Sequence, residues 1–240
     1  MNPYSLSNPP KINMHRLLAA NIGFVCSEAR ASRFVDFGCW KGTLNYNLKY
    51  YWDCPSILID AIESNCINAS RLDPSATVRW LTVNPTGSSI TVLNQAAAAT
   101  DASLLTLATS IYSKMTTATM TVPAGPNITP SEYASQYRDE LQGSFLKINI
   151  EGVDLYLLDA ILDAGIDPAA VMFEVPEDFS LLSSIIKRLK ALNFYIPPEL
   201  PISPGRDSSF CFSRDVGFSK RIISANAATH LSSYTTFRRI

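Results

Sequence analysis

The chain has 240 residues, of which 47% are hydrophobic and 17% are charged, a balance typical of one folded domain with a sizeable core rather than a disordered protein. Its net charge of −1 gives no support to binding of nucleic acid or of an anionic membrane surface. Five cysteines without a C-x-x-C pair, and only two histidines, argue against a zinc site.

The sequence also lacks the signals that direct a protein into or across a membrane. Its first residues are polar and contain prolines, without the apolar stretch of a secretory signal. No apolar run reaches the roughly 18 residues that a membrane-spanning helix needs. We therefore expect a cytoplasmic protein without a membrane span, whose cysteines are reduced and pack as small core residues.

The N-terminal region predicts an irregular arm followed by a helix. Residues 1–10 are polar and proline-containing, as in a loose arm, and residues 12–31 have helical spacing of apolar side chains. No convincing linker interrupts the rest of the chain. We therefore divide it into an N-terminal arm and helix at 1–32 and one domain at 33–240.

The first part of that domain alternates between strand and helix patterns. Apolar runs predict strands, and apolar residues four apart predict helices, at strand 33–37, helix 42–51, strand 56–62 and helix 64–72. Residues 73–87 hold two prolines and are interpreted as a loop. A third strand is predicted at 89–94.

The middle of the chain is less regular. Residues 96–128 are rich in Ala and Thr, which argues against a long helix and favours loops, a hairpin or short strands, including one at 119–122. The T-P-S-E sequence from Thr129 to Glu132 then places Thr, Pro and Glu where a helix start prefers them. We expect that helix to run to about residue 141.

The second half returns to strict alternation. The pattern predicts strand 144–150, helix 153–164, strand 170–175, helix 178–192 and short closing strands at 193–196 and 208–213. Such alternation implies an α/β fold with a mostly parallel sheet and helices on both faces.

The first candidate site is the turn after the strand at 33–37. Asp36, Gly38 and Gly42 form the pattern D-x-G-x-x-x-G between a strand and a helix. Glycines let a ligand approach the backbone, and a helix start offers free N–H groups. The pattern is neither a dinucleotide fingerprint nor a P-loop, and it is common in S-adenosylmethionine (SAM) enzymes. A simple strand-end turn is the structural alternative.

Two acids further along are candidates for the same ligand. Glu63 follows the second strand, where a carboxylate can accept both hydroxyls of a ribose, although it could equally be a helix-start acid stabilised by the dipole. Asp60, one turn earlier, is the poorer candidate. Asp101 could reach an adenine edge, and a solvated loop acid is the structural alternative.

Three polar residues lie at the strand–helix junction near residue 150. Lys147, Asn149 and Glu151 come at the end of a buried strand, where open α/β sheets place their ligands. Glu151 could act on a substrate hydroxyl or cap the following helix. Lys147 could assist it or extend its ammonium group along the surface.

Taken together, these segments resemble the FkbM-type SAM-dependent methyltransferases. The resemblance covers roughly residues 33–215, in the right order. It is carried by V-D-F-G-C-W-K-G-T at 35–43, A-I-E-S-N at 61–65, A-A-T-D at 98–101, L-K-I-N-I-E-G-V-D at 146–154 and V-M-F-E at 171–174.

The resemblance implies a three-layer Rossmann-like methyltransferase fold with a seven-stranded, mostly parallel sheet. It also implies in-line transfer of a methyl group from SAM to a hydroxyl of a sugar or other small molecule. A metal-dependent mechanism is disfavoured, because Asn149 removes an anionic ligand. The residues implied for the cofactor are Asp36, Gly38, Gly42, Glu63 and Asp101. Those implied for catalysis are Glu151, Asn149 and Lys147.

Two departures from the family pattern, Asn149 and the Trp40-Lys41 loop, leave an alternative open. Asn149 replaces the family's Asp, and an amide can neither take a proton as a general base nor serve as an anionic metal ligand. The alternative is an inactive pseudo-methyltransferase that serves as an interaction module. Its ligand pocket would be filled, for instance by Trp40 or by residues 100–128.

Overall fold

The computed structural model describes residues 19–20, 22–23, 30–83, 95–101, 104–110, 117–123, 125–150, 153–175, 181–194 and 208–213, with the backbone alone for 95–123, 174–175 and 208–213 within these ranges. The strands are β1 Phe34–Phe37, β2 Ser56–Asp60, β3 Thr77–Trp80, β4 Thr82–Val83, β5 Gln95–Asp101, β6 Leu104–Ser110, β7 Thr117–Pro123, β8 Asn127–Ile128, β9 Phe145–Ile148, β10 Ala170–Val175 and β11 Ser208–Ser213. The helices are α1 Thr43–Leu48, α2 Glu63–Leu72, α3 Pro130–Gln136, α4 Arg138–Leu141, α5 Asp154–Asp163 and α6 Leu182–Ala191.

A six-stranded sheet organises the described part of the chain, with the strand order β11-β10-β9-β1-β2-β3. Neighbouring strands from β10 to β3 pair in parallel, and β11 pairs antiparallel with β10 at one edge. This confirms the predicted mostly parallel sheet. The described residues form six strands of this sheet, one fewer than the seven expected, and five of the six lie at predicted strands.

Helices cover both faces of this sheet. Successive residues of a strand point to opposite faces, so Val35 and Phe37 of β1 pack in the large core cluster to which α3, α5 and α6 contribute. Phe34 points the other way and packs with Leu48 of α1. Ala69 of α2 belongs to a third cluster, with Leu58 of β2 on that same second face. The architecture is therefore a three-layer, Rossmann-like α/β fold.

The structure differs from the sequence prediction in two connections. β3 lies inside the segment 73–87 that we assigned to a loop, because its four residues form an edge strand between turn residues and a proline-containing stretch. The helix predicted from Thr129 to residue 141 is interrupted at Tyr137, where the backbone leaves the helical region. The strand predicted at 89–94 lies outside the described residues.

A smaller sheet is inserted beside the main one. β5, β6 and β7 form an antiparallel three-stranded meander, which confirms the expectation of a hairpin and short strands in this segment. The chain leaves for it after β4 and returns at β8, and these two short strands pair in parallel. The N–H of Gly125 donates to the carbonyl of Ala61 at 3.0 Å, so the insertion is rooted beside the carboxyl end of β2.

The cysteines in the described ranges behave as predicted. Cys39 and Cys66 are free and buried, and Cys54 is free and partly buried. Burial raises the pKa of Cys66 to about 12, so its thiol stays protonated at neutral pH. Within the same ranges, no helix is both long enough and apolar enough to cross a bilayer.

The start of α3 has the capping contacts that the T-P-S-E sequence predicts. Thr129 and Glu132 form a capping box, in which the Glu132 N–H donates to Thr129 Oγ1 at 3.2 Å and the Thr129 N–H donates to Glu132 Oε2 at 2.8 Å. Thr129→Ala removes the first bond, so we expect the free energy of unfolding to fall by about 1 kcal/mol in a urea titration. Ser131→Ala, at an exposed position of the same helix, is the control and should change it by less than about 0.5 kcal/mol.

Candidate functional site

The sheet reverses its direction of growth between β1 and β9. From β1 the chain proceeds to β2 and β3 on one side, whereas β9 and β10 are added on the other. In open α/β sheets, ligands bind outside the carboxyl ends of the strands at such a switch point. Asp36 and Gly38 lie at the carboxyl end of β1, and Asn149 follows β9, with its N–H donating to the Phe37 carbonyl at 2.9 Å.

A buried ion pair joins β1 and β9 near their carboxyl ends. Asp36 and Lys147 are directly opposite in the β1–β9 register, and Lys147 Nζ lies 2.6 Å from Asp36 Oδ1. Only 1% of Asp36 and 8% of Lys147 are exposed. Burial raises the pKa of Asp36 despite the neighbouring ammonium group. Burial alone would lower the pKa of Lys147, but the Asp36 carboxylate outweighs it and leaves that pKa raised.

Two buried oxygen atoms at the switch point have no hydrogen-bond donor among the described residues. They are Asp36 Oδ2 and Asn149 Oδ1. Buried polar atoms are nearly always hydrogen-bonded in folded proteins, and an exception calls for an explanation. Both atoms are acceptors, so a group that completes them must bring N–H or O–H donors or a positive charge.

The two glycines of the turn are required by contacts within the protein. Gly38 has a φ of +75°, and a Cβ atom there would lie 1.8 Å from the Asn149 carbonyl oxygen. Gly42 has a φ of +73°, and its Cβ would lie 2.8 Å from Ala69 of α2. The first glycine therefore lets the ends of β1 and β9 touch, and the second lets the start of α1 pack on α2.

The N–H groups of the turn are largely bonded already. Those of Gly38 and Cys39 donate to the Ile59 carbonyl, and that of Gly42 donates to the Cys39 carbonyl. The Trp40 N–H donates to Asp60 Oδ2 at 2.8 Å. A phosphate cradle needs several free N–H groups, so this arrangement agrees with the rejection of a P-loop and of a dinucleotide fingerprint.

Asp60, which the sequence analysis considered only as the poorer candidate for the ribose, is a structural anchor. It is the last residue of β2, and it accepts bonds from the N–H groups of Trp40 and Ile62 and from Asn65 Nδ2. It thereby connects the turn at residues 36–42, called the glycine turn below, to the start of α2. An acid directly after the buried run S-I-L-I was the signal that could have located it. Glu63 is instead exposed and is the first residue of α2.

The structure locates one of the two remaining candidates, Asp101 and Glu151. Asp101 is the last residue of β5 and pairs with Leu104, which pairs in turn with Pro123. Asp101 is therefore at the end of the inserted sheet that leads back to Gly125 and the carboxyl edge. Glu151 lies outside the described residues. The structure thus places Asp36, Gly38, Lys147 and Asn149 together, with Gly42 next to them in the turn, and leaves the roles of all these residues as predictions.

A second anchor was also missed. Asp154, the first residue of α5, is 1% exposed, and its Oδ2 accepts a bond from the Ile150 N–H at 3.3 Å. This bond connects the residue after Asn149 to the start of α5. A carboxylate in the first turn of a helix is a recognisable signal, because it can accept bonds from N–H groups there.

Comparison with known proteins adds solved structures but no family. No protein-family model matches the chain, and no curated protein sequence matches it. A ribosomal protein L11 methylase from Lactobacillus delbrueckii subsp. bulgaricus is similar with a TM-score of 0.42 and 14% identity, over 85% of this chain and 80% of that one. An O-methyltransferase from Bacillus cereus in complex with SAH has a TM-score of 0.44 and 10% identity, over 86% and 82%.

A human methyltransferase 10 domain containing protein is similar at a comparable level, with a TM-score of 0.40 and 9% identity over 87% of this chain and 86% of that one. At these scores and identities, the likenesses carry no argument about the activity of this chain. The fold assignment rests on the strand order and pairing described above.

The close contact of Gly38 gives a stability prediction. Gly38→Ala combines a positive φ with a clash against backbone, so we expect it to lower the free energy of unfolding by about 3 kcal/mol or more. Gly143→Ala is the matched control, since Gly143 has a φ of +65° but its Cβ would meet only Ser32 Oγ at 3.8 Å. The control should lose about 1–2 kcal/mol, from the backbone conformation alone. Equal losses in chemical denaturation would contradict the steric argument.

Proposed function

We propose that this protein is a SAM-dependent methyltransferase that acts on a hydroxyl group of a sugar or other small molecule. The observation that carries the proposal is the switch point between β1 and β9, where the D-x-G-x-x-x-G turn adjoins two buried acceptor atoms for which the described residues provide no donor. The residues of this turn and of the β9–α5 junction are also those that resemble the FkbM-type methyltransferases. Cytoplasmic location, the division at residue 32 and the absence of a nucleic-acid partner belong to the same proposal.

The chemistry of the site fits this cofactor better than a phosphate-bearing one. SAM carries an ammonium group and a positively charged sulfonium, and the site offers acceptor atoms and a buried carboxylate. Most N–H groups of the turn, which a phosphate would need, are bonded within the protein. Asn149 is partly exposed although its Oδ1 is buried, whereas Asp36 is almost fully buried and has its charge compensated by Lys147.

The proposed mechanism divides the work between binding and proton removal. When bound, SAM supplies a methyl group that is already activated by the sulfonium. Asp36, Gly38 and Gly42 shape the site under the cofactor, and Glu63 and Asp101 are assigned to its ribose and adenine. Positioning supplies most of the acceleration in such a transfer.

The acceptor hydroxyl still needs a base, and the residues differ in their ability to be one. The Asn149 amide orients a hydroxyl by hydrogen bonding but takes no proton. Lys147 remains a protonated ammonium group in its ion pair, so it offers no lone pair. Glu151 is the carboxylate assigned to accept the proton.

The pseudo-methyltransferase alternative gains no support from Trp40. That reading requires the ligand site to be filled from within. Half of the Trp40 side chain is exposed, and its ring lies 5.0 Å from the Lys41 ammonium group. We therefore keep the enzyme as the proposed function.

Calorimetric titration with SAM tests the cofactor assignment. We expect the wild type to bind with a dissociation constant of about micromolar order, and Glu63→Gln to weaken binding about tenfold or more. Glu63 is exposed at a helix start, so this substitution separates binding from folding. Asp139→Asn, at an exposed position of α4, is the control and should bind like the wild type.

The outcomes separate two levels of the proposal. A folded wild type that does not bind SAM would contradict the proposed function. Wild-type binding with an unchanged Glu63→Gln variant would refute only the assignment of Glu63 to the ribose.

A further inference from the structure

A single buried cation holds the glycine turn at two points. Lys147 Nζ donates to Asp36 Oδ1 at 2.6 Å and to the Gly38 carbonyl at 3.2 Å. The two acceptors belong to the end of β1 and to the first residue of the turn that follows it. Lys147 itself is on β9, so the ammonium group connects the two strands whose carboxyl ends form the switch point.

We infer that Lys147 is a positioning residue for the glycine turn, which sets the conformation of residues 36–42 through Asp36 and the Gly38 carbonyl without contacting the ligand. The inference rests on the proposed function only for its ligand readout, because the effect on the turn exists with or without SAM.

Burial and charge separate this role from catalysis. The side chain of Lys147 is 10% exposed and that of Asp36 is 1% exposed, so the pair lies inside the fold. Besides Asp36, the Asp154 carboxylate acts electrostatically on the ammonium group and favours its protonated form. A buried, protonated ammonium group that donates two hydrogen bonds can hold a backbone carbonyl in place but cannot accept a proton.

A purely stabilising role is the competing explanation. Replacing both members of a buried ion pair by hydrophobic residues of similar volume is often neutral for stability, whereas removing one member leaves an unpaired buried charge. If the pair only satisfied its own charges, removal of both should restore every property of the protein. If Lys147 positions the turn, removal of both should restore stability while the turn stays loosened.

Geometry at Gly38 favours positioning. The residue is pressed against the Asn149 carbonyl on one side, and its own carbonyl is held by Lys147. The Trp40 N–H is bonded to Asp60 further along the turn, and Trp40 has a φ of +51°, which is uncommon for a residue with a side chain. A turn in such a conformation needs several fixed points, and Lys147 supplies the one at its start.

The test compares Lys147→Met, Asp36→Asn and the double variant with the wild type. Lys147→Met should reduce stability, because it leaves the Asp36 carboxylate buried without its partner. The double variant leaves no unpaired charge and should regain much of the lost stability, less the cost of burying the amide introduced by Asp36→Asn. In amide hydrogen exchange, we expect peptides covering residues 36–42 of the double variant to exchange about tenfold faster than in the wild type, with unchanged rates in α5 and α6.

A second ion pair provides the matched control. Arg79 of β3 and Glu140 of α4 form two hydrogen bonds, at 2.8 and 2.6 Å, and Arg79 is in register with Ile59, on the opposite face of the sheet from Asp36. The double variant Arg79→Met and Glu140→Gln removes this pair. It should leave exchange of residues 36–42 at the wild-type rate, even if overall stability falls.

The ligand readout completes the test. The Asp36→Asn/Lys147→Met variant should bind SAM about tenfold more weakly than the wild type, because the turn is no longer pre-positioned. Wild-type exchange rates in the turn of this variant would overturn the inference, as would wild-type SAM affinity despite a loosened turn. If the wild type itself binds no SAM, the proposed function fails, and the exchange rates alone decide whether Lys147 positions the turn.

Discussion

The buried pair of Asp36 and Lys147 is the interaction on which the arrangement of the central strands depends. A carboxylate in the middle of a sheet needs a cation on the same face, and the only partner that the described residues provide is on the neighbouring strand. A slip of β9 by one residue would turn Lys147 to the face packed by α5 and would bring Leu146 or Ile148 opposite the carboxylate. The pair therefore specifies the register of β1 against β9, and with it the position of Asn149 beside Gly38.

The two glycines of the D-x-G-x-x-x-G motif can be explained by packing within the protein as well as by ligand binding. Gly38 and Gly42 were assigned as places where a ligand approaches the backbone, yet each is already required by a protein contact, with the Asn149 carbonyl and with Ala69. The contacts align the end of β1, the start of α1 and the junction after β9. A glycine pattern of this kind therefore indicates close packing between strands and helices in the first place. It indicates a ligand site only indirectly, because that packing shapes the surface at the end of β1.

The sequence predicted the parts of the fold that depend on local patterns. Strands β1, β2, β9 and β10 lie within the apolar runs assigned to them, and the capping box at Thr129 formed as the T-P-S-E sequence indicated. The strand β3 was missed because an edge strand of four partly exposed residues has no apolar run. The partnership of Asp36 with Lys147 and the anchoring role of Asp60 depend on pairing between distant strands and turns, which spacing along the chain does not reveal.

The pairing of β4 with β8 has a consequence for how this fold can vary. Because these strands lie side by side, the chain departs from the body and returns to it at almost the same place. The entropy of closing a loop grows only slowly with its length, so the segment between two such fixed ends can be exchanged for a longer or shorter one at small thermodynamic expense. The main sheet keeps its strand register in any such exchange. The junction beside Ala61 is therefore a position at which one inserted segment can be replaced by another.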